Sequence, residues 1–242
     1  MSLFLVGPQN GPKQPSKVAI SAPEVTDLVR VVEDLRSDPA SLLDTVTTIA
    51  ADRRRRKDVV KRSYWHPNGF AKIKLLEYPD YSLRLHVWPA GKDRRGDMNP
   101  HSHRWAFASW LVLGQGIAEK YFGETTPTDP DGVECERYLY RRRAWLSDLR
   151  RPERVHLREL GEVHRPAGTV YSSTTEVVHT VDPVGLDLLV TAVVQGHAEV
   201  ETAPVYVRPG VAREQRRRRF KAEEFGILLR DLEIAMGAMP RT

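Results

Sequence analysis

The sequence predicts a mostly-β fold, a barrel or jelly roll with helices before and after it. From about residue 63 the chain breaks into short runs of β-branched, aromatic and alternating residues separated by Gly, Pro and Asp. About eight such runs fit a barrel or jelly roll. Ahead of them apolar residues recur at helical spacing, and behind them, after Pro209-Gly210, a charged segment carries another helical stripe.

In chain order, residues 1–20 form an irregular lead-in, rich in Gly, Pro, Gln and Ser from residue 7. Residues 21–62 are a helical segment. Ser21 and Pro23 suit a helix start, and Val25, Leu28, Val31, Val32 and Leu35 keep helical spacing until Asp38-Pro39 interrupts. Leu42, Leu43, Val46, Ile49 and Ala50 repeat the pattern in a second helix that runs into the cluster Arg53 to Lys57. Residues 63–208 hold the barrel. Its candidate strands are Phe70 to Leu76, Ser82 to Trp88, Ala106 to Leu113, Ile117 to Tyr121, Glu134 to Tyr140, Thr169 to Tyr171, Val177 to Val181 and Leu188 to Val194. Within Tyr81 to Trp88, Tyr81, Leu83, Leu85 and Val87 share one face and Ser82, Arg84, His86 and Trp88 the other, so one face is core. Residues 209–242 are a basic tail, with a helix over Ala212 to Met236 and Phe220, Ile227, Leu228, Leu232 and Met236 as its buried stripe.

A chain of 242 residues, 40% of them hydrophobic, suits one core domain. The charge of +5 is a small excess of 37 basic over 32 acidic side chains, which is not a histone-like balance. Arg53 to Lys57 and Arg216 to Arg219 read as solvated helix faces, with contact to phosphate backbones, membranes or acidic partners as the alternative. Cys135 is the single cysteine, so no intramolecular disulfide forms and a reducing cytoplasm is the expected compartment. It reads as a small core residue rather than a nucleophile. The N-terminus lacks the basic and apolar regions of a signal peptide, and no apolar run approaches the roughly 18 residues that span a bilayer. No membrane partner is expected.

The chemistry centres on His101-Ser102-His103. Two histidines at i and i+2 of a strand point to the same side, as metal ligands must. His179, in Val177-Val178-His179-Thr180-Val181, stands in a strand that can cross beside the first. Three neutral imidazoles make one face of a metal site and keep positions open, whereas a structural zinc site closes its shell with four ligands, often cysteines. The plain alternative is that His-x-His is an accidental pair of polar residues at a strand start. Gly96, then His101 and His103, Gly114 and Gly116, Pro166-Ala167-Gly168 and finally His179 follow, however, an ordered pattern.

That order resembles the cupin pattern, which implies a double-stranded β-barrel. Most cupins carry a glutamate four or five residues after the second histidine, and those positions here are Phe107 and Ala108. The chain is accordingly similar to the three-histidine subgroup typified by cysteine dioxygenase. Glu33 to Pro39, Tyr81 to Trp88, Leu111 to Gly116 and Glu119 to Phe122 are similar to stretches of that group, and the likeness covers roughly residues 25 to 195. It implies that His101, His103 and His179 bind Fe(II), with another divalent metal as the alternative, and that a small-molecule substrate and dioxygen meet there. The family's thiol-bearing position falls at Ala108 or Ser109, so its cysteine–tyrosine crosslink cannot form in this chain.

A substrate carboxylate calls for a cation, and Arg62 and Arg84 are the candidates, with His86 on the same strand face as Arg84. Tyr64 and Tyr171 are candidate hydrogen-bond donors to bound oxygen or substrate, with aromatic packing as the alternative. Asp182, three residues after His179, is a candidate to orient that ligand or else a turn residue. His66, His156, His164 and His197 lie in polar, loop-like contexts and receive no role. The expected activity is oxidation of a small polar thiol- or amine-bearing substrate. The rival readings are a metal-dependent isomerase or lyase and a non-enzymatic ligand- or nucleic-acid-binding module, the last disfavoured by the lack of a helix-turn-helix or zinc-finger pattern. Pairing of barrel edges would give a homodimer, and residues 123–132 read as a lid or a hairpin loop.

Overall fold

The computed structural model describes residues 25–91, 99–143, 146–149, 152–210 and 217–239. The expected lead-in over residues 1–20, the helix start at Ser21 and Pro23, Gly96 and residues 212–216 of the tail lie outside the described residues.

Three helices come first: α1 (Val25–Ser37), α2 (Pro39–Ala51) and α3 (Arg53–Arg62). Asp38 caps α2 through a 3.4 Å bond from Ser41 N, and Pro39 occupies the first turn, where no N–H is needed. The second helix does not run on into the arginines. It stops at Asp52, whose carboxylate accepts from Arg54 N and Arg55 N at 2.8 and 3.1 Å, so the arginines open a helix of their own.

The strands are β1 (Tyr64–Trp65), β2 (Ala71–Glu77), β3 (Ser82–Trp88), β4 (Phe107–Leu113), β5 (Ile117–Thr125), β6 (Val133–Arg143), β7 (Leu146–Leu149), β8 (Glu153–Arg165), β9 (Val170–Ser173), β10 (Val178–Pro183), β11 (Leu189–Gln195), β12 (Ala203–Val207) and β13 (Arg218–Arg219), followed by helix α4 (Ala222–Gly237). They form two antiparallel sheets, ordered β13-β1-β2-β3-β11-β4-β9 and β10-β5-β8-β6-β12, with β7 on β6. This is the expected mostly-β double-stranded barrel with helices at both ends. Strand β8 has no counterpart in the sequence reading. Most of its residues are exposed, Leu160 and Val163 among them, so its apolar residues do not trace one buried face, and main-chain pairing to both β5 and β6 makes it a strand. His156 and His164 consequently lie on a strand rather than in loops.

The tail also differs from expectation. Arg218–Arg219 pairs with β1, so the helix begins only at Ala222. Its buried residues are Phe225, Leu228, Leu229, Leu232 and Met236, a stripe of spacing three and four, and Ile227 falls outside it at 45% exposure.

The main hydrophobic core lies between the seven-stranded sheet and the helices, not inside the barrel. Leu83, Leu85 and Val87 of β3 join Ile73, Leu75, Val190, Ala192 and Val194 against Leu28, Val32, Leu42, Val46 and Phe225. Arg84, His86 and Trp88, alternating with them, line a cavity between the sheets. Cys135 is a buried free thiol on β6, in a small separate cluster with Leu157 and Tyr206. The segment 126–132 is a closed turn, with Thr125 Oγ1 and Asp131 N donating to the Asp129 carboxylate at 2.6 and 3.0 Å. It contributes nothing to the cavity wall, which favours the connecting loop over the lid. Among the described residues no helix is long and apolar enough to cross a membrane.

Two of the glycines in the cupin-like pattern make different demands. Gly116 has φ +131° and a Cβ there would run into the carbonyl oxygen of Arg165, whereas Gly168, at φ +86°, has nothing within 4 Å of such an atom. Strain alone costs about 1–3 kcal/mol, and each kcal/mol shifts Tm by about 2–4 °C in a domain of this size. Gly116→Ala is expected to lower Tm by about 6 °C or more, and Gly168→Ala by less. Thermal melts giving equal shifts would contradict the close approach of the Arg165 backbone to Gly116.

Candidate metal centre

His101 and His179 are brought together by main chain before side chains matter. They form an isolated antiparallel bridge, His101 N donating to His179 O and His179 N to His101 O, both at 3.0 Å. Ser102 N donates to Pro204 O at 3.0 Å and Tyr206 N to Pro100 O at 2.8 Å, which ties the same segment to β12. The regular strand β4 begins only at Phe107, so the His-x-His pair sits on a bridged segment ahead of the strand rather than on it. The three ring centroids nevertheless lie 5.0, 5.3 and 5.2 Å apart, and one potential ligand atom from each histidine falls within 4.8 Å of the others.

The donor set fits a divalent metal. His101 Nδ1 lies 2.9 Å from Asn99 O and His179 Nδ1 lies 2.6 Å from Glu119 Oε1, so each imidazole is held through Nδ1 with Nε2 left to coordinate. His103 Nε2 and His179 Nε2 are 3.0 Å apart. Two nitrogens each about 2.1 Å from a common ion and at right angles to each other would be separated by about 3.0 Å. Burial, helped by the neighbouring His179, lowers the pKa of His101 to about 4, and burial holds His103 well below the usual imidazole value. Both rings are therefore neutral near pH 7, the form that binds metals.

Glu119 is the functional residue that the sequence reading missed. It is 1% exposed, on β5, and besides His179 it accepts from Arg165 Nε at 2.7 Å and Tyr121 Oη at 2.8 Å. Burial pushes its pKa up, but the hydrogen bonds from His179, Arg165 and Tyr121 outweigh that and hold it at about 2. Asp182 does not take the orienting role. It lies an odd number of residues from His179 on β10, so its side chain leaves the opposite face of the strand. A charged residue in the short run Ile117 to Tyr121, where it would have to be buried, was the available signal.

The histidines face a cavity of about 190 Å³. Tyr64, Tyr171, Arg84 and His86 all line it, together with Lys72, Arg104, Trp105 and Arg217, and no carboxylate is among the described lining residues. Arg62 is elsewhere: its Nε and Nη2 donate to Lys74 O and Leu75 O at 2.8 and 2.5 Å, which fastens α3 to β2. Lys72 Nζ and the Arg84 guanidinium each lie 5.7 Å from the Trp105 ring centre. Burial, with Glu119 nearby, pushes the Tyr171 hydroxyl well up, so it stays protonated and able to donate. His66, given no role from the sequence, also lines the cavity and stacks on Phe70 at 4.5 Å, with His86 at 4.5 Å from the same ring. Burial keeps both histidines neutral. His86 Nε2, Asn99 Nδ2 and Ser102 Oγ are buried without a hydrogen-bond partner among the described residues.

Glu119→Gln keeps the shape but removes the charge shared by His179 and Arg165. Loss of a carboxylate behind a ligating histidine typically weakens metal binding about 10–100-fold. Competition against a fluorescent chelator is expected to register that loss in a variant whose far-ultraviolet circular dichroism is unchanged. Wild-type affinity would remove Glu119 from support of the metal.

No protein-family model matches the chain, and no curated protein matches it. Among solved structures it is similar to KdgF from Halomonas sp., at 12% identity over 53% of this chain and 82% of that one with a TM-score of 0.32. It is also similar to an RmlC-like cupin protein from Desulfovibrio desulfuricans, at 13% identity over 55% and 86% with a TM-score of 0.29. A third is hydroxypropylphosphonic acid epoxidase from S. wedmorenis, at 13% identity over 52% and 50% with a TM-score of 0.30.

Proposed function

We propose that this chain is a mononuclear non-haem iron-dependent oxygenase, resembling cysteine dioxygenase, that oxidises a small polar thiol- or amine-bearing substrate with dioxygen. The observation that carries the reading is the convergence of three imidazoles on a cavity whose charged described lining is entirely cationic. Fe(II) held there would supply adjacent open positions at which substrate and dioxygen meet.

The chain's own residues have separable tasks. Glu119, itself held by Arg165 and Tyr121, fixes the His179 ring so that Nε2 faces the site. Lys72 and Arg84, stacked against Trp105, give the wall a cationic character that draws an anionic substrate toward the site, Arg84 being one of the two candidates, with Arg62, that the sequence offered for this. Tyr171 stays a hydrogen-bond donor through burial and Tyr64 flanks the cavity, while Trp105, Phe107 and Val181 limit the access of water to reactive species.

One observation favours a second reading, a metal-dependent isomerase or lyase. His86 is neutral and its Nε2 is buried without a partner on the cavity wall, which suits a proton acceptor. Dependence on oxygen separates the two. Protein purified without chelator and reconstituted with Fe(II) under anaerobic conditions is expected to hold about one iron per chain, to lose it in the His101→Ala, His179→Ala double variant, and to consume oxygen with a panel of small thiols and amines. Turnover of any panel member under strict anaerobiosis would replace the oxygenase by the isomerase or lyase, and an absence of bound metal in wild type would end both readings.

A further inference from the structure

The second arginine run, Arg216 to Arg219, reads in sequence as a solvated helix face, yet its described residues divide between two tasks. Arg218 and Arg219 form β13 and extend the edge of the seven-stranded sheet by pairing with Trp65 and Tyr64. Arg218 is anchored there, donating to Glu224 Oε2 and Oε1 at 2.9 and 2.6 Å with its guanidinium 5.2 Å from the Trp65 ring centre. Trp65 Nε1 donates to the same carboxylate at 3.0 Å, and Phe220 packs against both Trp65 and Phe225 with ring centres 5.2 Å apart. This clamp holds the backbone next to Arg217.

Arg217 itself lines the cavity and bridges the two sheets across it. Its Nη2 donates to the Tyr140 hydroxyl on β6 at 2.7 Å, and its guanidinium lies 4.8 Å over the Tyr64 ring on β1. Both contacts are to neutral groups, and among the described residues no carboxylate pairs with it. A guanidinium offers five N–H donors in a planar fork, and a fork already oriented by a ring face and a hydroxyl can receive a carboxylate without breaking an ion pair. Lys72 and Arg84, by contrast, stack against Trp105.

We propose that Arg217 reads the anionic group of the ligand, so that the C-terminal tail supplies a wall of the substrate site and sets its preference for small carboxylates. The proposal rests on the reading of the cavity as a small-molecule site and adds to it the residue that selects charge. Tyr64 and Tyr140 position the fork, and the clamp of Arg218, Glu224 and Trp65 fixes where it stands.

The test follows tryptophan fluorescence, since Trp88 and Trp105 line the same cavity. Full-length protein, both iron-loaded and metal-free, is titrated with 3-mercaptopropionate and with its uncharged counterpart 3-mercaptopropanol. The expected result is that wild type binds the anion about tenfold or more tightly than the alcohol, as a charge-assisted bidentate contact implies. Arg217→Gln is expected to lose most of that preference with its affinity for the alcohol and its iron content unchanged, and Arg217→Lys to fall between the two. Unchanged anion binding in Arg217→Gln, an equal loss for both probes, or a wild type that binds neither probe or both alike overturns the proposal. The two readings fail separately. A chain that takes up no iron but keeps an Arg217-dependent preference for the anion loses only the oxygenase, and one that takes up iron without the preference loses only the role of Arg217.

Discussion

The seven-stranded sheet is covered on both faces, and the rest of the structure depends on that constraint. All seven residues of β11 are buried because helices lie on one side of it and the cavity on the other. Its side chains alternate strictly: Val190, Ala192 and Val194 join the core beneath the helices, while Thr191, Val193 and Gln195 line the cavity. Strand β3 makes the same division between Leu83, Leu85 and Val87 on one side and Arg84, His86 and Trp88 on the other. A slip of one residue would turn Arg84 and His86 into hydrocarbon and put leucines in the cavity, and burying a charge without partners is far costlier than losing a few contacts. Pairing on both edges fixes the register, since Ala192 stands opposite Leu85 on β3 and Trp110 on β4. With the main apolar core placed outside the barrel, under α1, α2 and α4, the space between the sheets is free to be polar.

The histidine cluster uses that freedom in two stages. Reciprocal main-chain bonds between His101 and His179 fix where their α-carbons stand, and the buried carboxylate of Glu119 then fixes how the His179 ring is turned. A carboxylate at 1% exposure is tolerable only when its lone pairs are occupied. Arg165, Tyr121 and His179 occupy them, and their combined pull outweighs desolvation. One residue thus links the exposed strand β8, which supplies Arg165, to the innermost ring of the site.

What could be read from the sequence followed from which signals burial leaves in a chain. The alternation in β3 and the helical period of α1 were visible because one face of each meets hydrocarbon. His101, His103 and His179 were visible as a spaced set of one residue type. Strand β8 left no such signal because most of its residues, Leu160 and Val163 included, are exposed and its structure is main-chain pairing. The capping role of Asp52 was hidden inside a helical period that continues past it, and the exposed Ile227 shows how an apolar residue in phase with nothing can be taken for core. Arg62 and Arg217 show the same limit in opposite directions. Both are arginines near a Tyr64 that lines the cavity, yet one is committed to the carbonyls of Lys74 and Leu75 while the other enters through a strand formed more than 150 residues later in the chain.

Charge balance connects the site to the ligand proposed for it. Imidazoles add no negative charge, so a divalent ion held by three of them would keep its full formal charge at the cavity wall, and the carboxylate behind them, Glu119, is already shared with Arg165. Lys72, Arg84, Arg104 and Arg217 line the same cavity and give its described wall a cationic character. A cationic wall attracts an anionic ligand more strongly in a low-dielectric surround than in water. On the proposed reading a small anion entering the cavity would gain from that attraction, whereas a neutral molecule of the same shape would not. In the proposed function, selection for charge would lie in the polar face of the barrel and selection for shape in the aromatic walls formed by Trp88, Trp105, Phe107 and Tyr171.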